Sequence, residues 1–109
     1  MYAKTEEFTE IQQRLANYSK VLSHPARIAI IEFLANQSNC IVGDIANNFL
    51  FLSRTSVSQH LQELRNAGII QGEIQGVRIC YCLNHEVLNA MKELYTNLFT
   101  SVISDNCKC

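Results

Sequence analysis

The chain has 109 residues, the size of a single domain. With 48% hydrophobic and 17% charged residues it is not a disordered chain, and a formal net charge of -1 excludes a strongly basic nucleic-acid coat. Any positive charge for a polyanion must be local, and Arg54, Arg65, Arg78 and the Lys/Arg of the N-terminal segment are what is available.

Residues 1–6 read as a frayed end. Phe8, Ile11, Leu15 and Tyr18 recur at a helical period to about Ser19. Ser23-His24-Pro25 then opens a second helix, Pro25 to Ala35. Ser23 is a possible cap, and Pro25 sits where its missing N–H costs nothing. Ile28, Ile31, Phe33 and Leu34 make this helix strongly apolar. Arg27 is placed to pair with Glu32 or Asp44. Asn36 to Asn39 is a polar linker. Ile41 to Phe49 reads as a short third helix with Val42, Ile45, Ala46 and Phe49 inward, and Phe49-Leu50-Phe51-Leu52 as an apolar connection onward.

The stretch Leu52 to Gly68 is the most informative. Ser53 is a good N-cap, and Val57, Leu61 and Leu64 line one side of a helix that Gly68 ends. The opposite side is rich in Ser, Thr, Gln and Arg near its N-terminus, the end a recognition helix presents to base edges. Ser53, Arg54, Thr55, Ser58, Gln59 and His60 are therefore the expected DNA contacts. Gln59 suits adenine, and Arg54 suits guanine or a phosphate. Ser53 serves equally as a cap alone, and His60 as a partly buried helix residue. Arg65 either contacts phosphate or is solvated, and His24 reads as a hydrogen bonder at a helix start.

Ile69 to Glu73 and Val77 to Leu83 read as strands joined at Gln75-Gly76, a hairpin wing. Arg78 at the start of its second strand can reach a phosphate or the minor groove. Asn84 can cap a last helix to about Ser104, whose apolar face from Val87 to Ile103 is too broad to bury inside so small a domain. The expected architecture is mainly α with a β-hairpin wing, one winged helix-turn-helix domain over 1–109. It is expected to be a homodimer through residues 8–19 and 87–103, with 105–109 as a flexible cysteine-bearing tail. No stretch is long or apolar enough for a membrane, and MYAKTEEFTE is too polar for a signal peptide, so a cytoplasmic location is expected. The five cysteines are then read as reduced thiols or soft-metal ligands rather than disulfides.

Several strings together carry a resemblance: His24-Pro25-x-Arg27, Val42-Gly43-Asp44-Ile45-Ala46, Ser56-Val57-Ser58-x-His60-Leu61-x-x-Leu64, Gly68-Ile69-Ile70, and Gly76 to Leu83 read GVRICYCL. From about Tyr18 to Phe99 the chain is similar to the ArsR/SmtB family of metal- and metalloid-responsive repressors. The connection Asn48 to Leu52 is one residue longer than that family's turn and lacks its glycine. The resemblance implies a homodimer on a palindromic operator, released when an inducer binds, with double-stranded DNA as partner and no cofactor required for DNA binding. It also implies where inducers sit. The positions corresponding to the family's zinc site on the last helix are Asn84, Glu86, Asn97 and Thr100, a poor zinc set. The family's paired cysteines on the third helix are replaced by Ile41 and Gly43.

The remaining thiols are Cys107 and Cys109 on the tail, Cys40 before the third helix, and, as weaker candidates, Cys80 and Cys82 on one face of the second strand. Thiolates select soft ions such as arsenite, cadmium or copper(I), and Lys108 would help to lower the tail thiol pKa values. Cys40 reads equally as a small apolar group and the tail pair as inert. The expected function is a repressor released by a thiophilic metal or metalloid ion. A repressor of the same fold sensing redox or reactive sulfur species, or no ligand, is the alternative. A winged-helix protein–protein module without metal sensing is another. No acid/base pair suggests an enzyme.

Overall fold

The computed structural model describes residues 7–37, 41–42, 45–75 and 78–103. The expected frayed end, Cys40 and the cysteine tail lie outside the described residues. The element order is α1 (Glu10–Val21), α2 (Pro25–Ala35), β1 (Ile41–Val42), a 3-10 helix (Ile45–Asn48), α3 (Arg54–Asn66), β2 (Ile70–Gln75), β3 (Arg78–Leu83) and α4 (His85–Val102). Among the described residues no helix is long and apolar enough to cross a membrane.

Each helix start has a local cause. Thr9 caps α1 in a reciprocal box: its Oγ1 accepts from the Gln12 N–H at 3.1 Å, and the Thr9 N–H donates to Gln12 Oε1 at 2.9 Å. This cap delays α1 past Phe8, and the helix runs on to Val21 rather than stopping at Ser19. Pro25 occupies the first turn of α2, which makes His24 the N-cap, with no side-chain capping bond. The expected cap Ser23 is one residue too early, and its hydroxyl donates to the Lys20 carbonyl at 2.7 Å instead.

The expected third α-helix is not formed. Ile41–Val42 is a short strand and Ile45–Asn48 a 3-10 helix. Gly43 between two β-branched residues and an Asp has poor helix propensity, and a strand partner is at hand in β3. Of the residues expected to face inward, Ile45, Ala46 and Phe49 are buried, and the side chain of Val42 lies outside the described structure.

Ser53 starts α3, its Oγ accepting from the Ser56 N–H at 3.0 Å. Val57, Leu61 and Leu64 are the buried residues of that helix. At its end, Gly68 adopts φ 78, and the Gly68 and Ile69 N–H groups donate to the Arg65 and Leu64 carbonyls at 2.9 and 3.0 Å. This paired closure satisfies carbonyls that the helix end would otherwise orphan, and it turns the chain into β2. β2 and β3 pair antiparallel from Ile70↔Leu83 to Gln75↔Arg78; each begins one residue later than expected, and β2 runs two residues past its expected end. β1 adds to the other edge of β3, giving the order β1-β3-β2. Asn84 caps α4 through Oδ1, which accepts from the Val87 N–H at 3.3 Å.

One core joins these elements. Ile30 and Leu34 of α2, Ile45, Ala46 and Phe49, the buried side of α3, Ile69, Ile70 and Met91 form it, with Tyr81, Leu83, Val87 and Leu88 packed against it. Met91 is the buried residue of α4, whereas Phe8, Ile11, Leu98, Phe99, Val102 and Ile103 of the first and last segments are exposed. A hydrogen bond of 2.7 Å between Ser19 Oγ and Tyr95 Oη ties α1 to α4.

A Cβ at Gly68 would meet Val87 Cγ2 at 3.6 Å, an ordinary contact, so any penalty there comes from the backbone. Gly68→Ala is expected to destabilise the fold by about 1–2 kcal/mol, the cost of a left-handed conformation for an L-residue. Urea unfolding at one fixed protein concentration measures it.

Candidate nucleic-acid interface

Burial of Val57, Leu61 and Leu64 turns the other side of α3 outward. Ser53, Arg54, Thr55, Ser58 and Gln59 are exposed there. Their roles are already unequal. The Ser53 hydroxyl both accepts from the Ser56 N–H and donates to Ser56 Oγ at 2.9 Å, so the cap occupies it. Arg54 Nη2 donates to Asn47 Oδ1 at 3.0 Å, which links the start of α3 to the 3-10 helix. Thr55, Ser58 and Gln59 project from the first turns of the helix. Arg78 begins β3, and its side chain lies outside the described structure.

His60 stands apart from this set. It is half-buried, and its Nδ1 accepts from Arg27 Nε at 3.1 Å. Arg27 Nη1 donates to the Val21 carbonyl at 3.1 Å, and the His24 ring lies 5.3 Å from that of His60. These contacts join the end of α1, the start of α2 and the middle of α3. Arg27 Nε and Nη1 thus go to His60 and Val21 rather than to the expected carboxylate of Glu32, and Asp44, the other expected partner, lies outside the described residues. Arg65 is exposed, and its side chain passes over β2: a Cβ at Gly72 would lie 3.2 Å from Arg65 Nε.

The thiols divide in two. Cys80 is buried and Cys82 half-buried, both as thiols rather than in a disulfide. They lie two apart on β3, hence on one face, across from Val42, Glu73 and Gln71. Cys40, Cys107 and Cys109 lie outside the described residues. Among the described residues no group of three or more His, Cys, Asp or Glu side chains is placed to hold a metal ion. On α4, Glu86 and Asn97 border a shallow hollow with Lys92 and Glu93.

Two features escaped the sequence reading. The Arg27–His60 bond joins residues 33 apart, and its sequence signal was only that two polar residues fall among apolar ones. Leu50 and Phe51 read as an apolar connection, yet they are 84% and 82% exposed.

Burial, and then the charges of Arg27 and His24, hold the His60 pKa below the usual 6.5. The unfolded chain therefore binds the His60 proton more readily than the folded one. Stability is lost as pH falls through the unfolded pKa and levels off below the folded one. His60→Gln keeps an acceptor for Arg27 and removes the titration. Between pH about 7.5 and about 5.5 wild type should lose stability relative to this variant, as read from unfolding midpoints at each pH.

Residues 24–71 match the family model described as bacterial regulatory protein, arsR family. The chain is 38% identical over 72 residues to the transcriptional repressor SdpR of Bacillus subtilis, covering 66% of this chain and 78% of that protein. It is 30% identical over 91 residues to the cadmium resistance transcriptional regulatory protein CadC of Listeria innocua, covering 83% and 75%. Over 97 residues it is 29% identical to the arsenical resistance operon repressor of Staphylococcus xylosus, covering 89% of each. Its fold matches, with TM-score 0.59 and 16% identity, the homodimeric winged helix-turn-helix DNA-binding domain of a possible ArsR-family regulator from Mycobacterium bovis, covering 100% of this chain and 96% of that one. A polar helix face backed by a packed core, a hairpin beside it and these matches lead to one conclusion: the chain belongs to the ArsR family, as a DNA-binding transcription regulator with a winged helix-turn-helix fold.

Proposed function

We propose that the protein is a homodimeric repressor that places two copies of α3 in successive major grooves of a palindromic operator. The observation that carries this reading is the division of α3 into a buried side and an exposed polar side at its N-terminal end. Thr55, Ser58 and Gln59 supply hydrogen-bonding groups for base edges. Arg54 adds charge, Ser53 holds the helix start, and Arg78 on the wing contacts the backbone. His60 acts from behind, setting the helix against α2. The exposed apolar side chains of residues 8–19 and 87–103 are the surface for the partner copy. A two-fold dimer would bury Phe8, Ile11, Leu98, Phe99 and Val102 against their equivalents.

Release follows from a thiophilic ion held by cysteine thiolates. Cys107 and Cys109 are the main ligands in this proposal, with Cys40 third and Cys80 and Cys82 in reserve. Relatives named for arsenical and cadmium resistance support a soft ion as inducer. In sequence Cys40 adjoins Ile41, whose partner in the sheet is Tyr81, the residue between Cys80 and Cys82. An ion that binds one dimer geometry better than the other shifts the spacing of the α3 pair. A coupling of about 1–3 kcal/mol suffices to alter operator affinity by one to two orders of magnitude.

The DNA upstream of the protein's own gene is the probe. Wild type should bind it with an affinity that falls steeply and log-linearly with salt. Gln59→Ala should cost about 1–3 kcal/mol on this fragment, while leaving binding to unrelated DNA nearly unchanged. Arsenite should release reduced wild type but not a Cys107→Ser/Cys109→Ser variant. Equal release of both would remove the tail from the sensing site.

A further inference from the structure

We infer that Leu50 and Phe51 read DNA: the corner of the turn ahead of α3 meets the C5-methyl groups of thymines beside the bases that α3 contacts. The inference rests on the DNA-binding reading of α3 and extends it to residues with no hydrogen-bonding side chains.

The turn is closed by the Leu52 N–H, which donates to the Phe49 carbonyl at 2.9 Å. That bond puts Leu50 and Phe51 at the two corners. They are the two most exposed large apolar side chains among the described residues. The turn has no positive φ, so its backbone sets no requirement that large apolar residues satisfy. Gly, Pro, Asn or Asp would serve such corners without exposing apolar surface to water. The pair is nevertheless held outward from a fixed base. Phe49 is buried, and its ring meets Phe33 edge-on at 5.9 Å and Phe51 at 6.3 Å.

Position indicates what covers them. Phe51 lies two residues before the cap Ser53, and Arg54 and Thr55 follow directly. The N-terminal end of a recognition helix is the part that approaches base edges. In the major groove the apolar group a base edge presents is the thymine methyl, and side chains without donors or acceptors can read only that. The partner-copy surface proposed above belongs to α1 and α4, so the turn is not needed there. Leu50 and Phe51 would thus select for thymine where α3 enters the groove.

Uracil differs from thymine in these contacts only by the missing methyl. The upstream fragment is amplified once with dTTP and once with dUTP, and both products are titrated with wild type and with a Leu50→Ser/Phe51→Ser variant across a salt series. Wild type should bind the uracil fragment more weakly, by about fourfold for each methyl it buries. The variant should bind the thymine fragment more weakly than wild type does and treat the two fragments alike. Leu50→Ser alone, which leaves the Phe49–Phe51 ring contact in place, should show a partial loss of discrimination. A variant as sensitive to uracil as wild type overturns the inference. So does a wild type that binds both fragments equally with normal salt dependence, an outcome that leaves the role of α3 standing. A wild type with no salt-dependent binding to either fragment overturns both readings.

Discussion

Burial of the Val57–Leu61–Leu64 side of α3 is the constraint from which the rest of the molecule follows. A helix of this length has little stability alone, and its place is set by the apolar side it offers to the core. Leu64 and Val57 are almost wholly removed from water, against Ile30, Ile45 and Ile69. Because that side is occupied, Thr55, Ser58 and Gln59 have no choice but to face outward. The polar face is a consequence of packing, and its orientation is as rigid as the core behind it.

Two ends of the same helix secure that arrangement by different means. At the N-terminus, Ser53 satisfies a backbone donor and Arg54 reaches Asn47, so the helix start is bound to the 3-10 helix. At the C-terminus, the left-handed Gly68 returns the chain immediately into β2, whose Ile70 and β3 partner Leu83 rejoin the core. Between them, Arg27 and His60 provide a polar contact across three helices. Its cost of partial burial is offset because each group finds a partner in the other, or in the Val21 carbonyl. The wing and the reading helix are thereby one mechanical unit.

The apolar surface left over is unevenly placed. On α4, Met91 faces the core while Leu98, Phe99 and Val102 do not. A chain this small cannot cover them itself, which is the physical content of a high apolar fraction in a short sequence. Leu50 and Phe51 are a different residue of apolar surface, on a turn whose anchor, Phe49, is buried. Surface of the first kind suits a second copy of the chain. Surface of the second kind adjoins the polar face of α3.

Periodicity and capping chemistry made the helices legible. Pro25 located the start of α2, Ser53 that of α3 and Asn84 that of α4, because each acts on backbone groups within three residues of itself. The buried side of α3 and the glycine that ends it were equally plain, for the same local reason. The failures were also physical. Ile41 to Phe49 carries apolar positions at a helical spacing, but Ile41 and Val42 pair with β3 as a strand, and that partner lies about forty residues away in the chain. Glu32 lies close to Arg27 in sequence, yet folding brings His60 to it from α3. The sequence by itself determined where α1 to α4 lie, which side of α3 is apolar, and hence that α3 has a face to spare. Only the tertiary structure decided the strand before the 3-10 helix, the Arg27–His60 contact and the exposure of Leu50 and Phe51, since each depends on which distant groups the chain brings within reach.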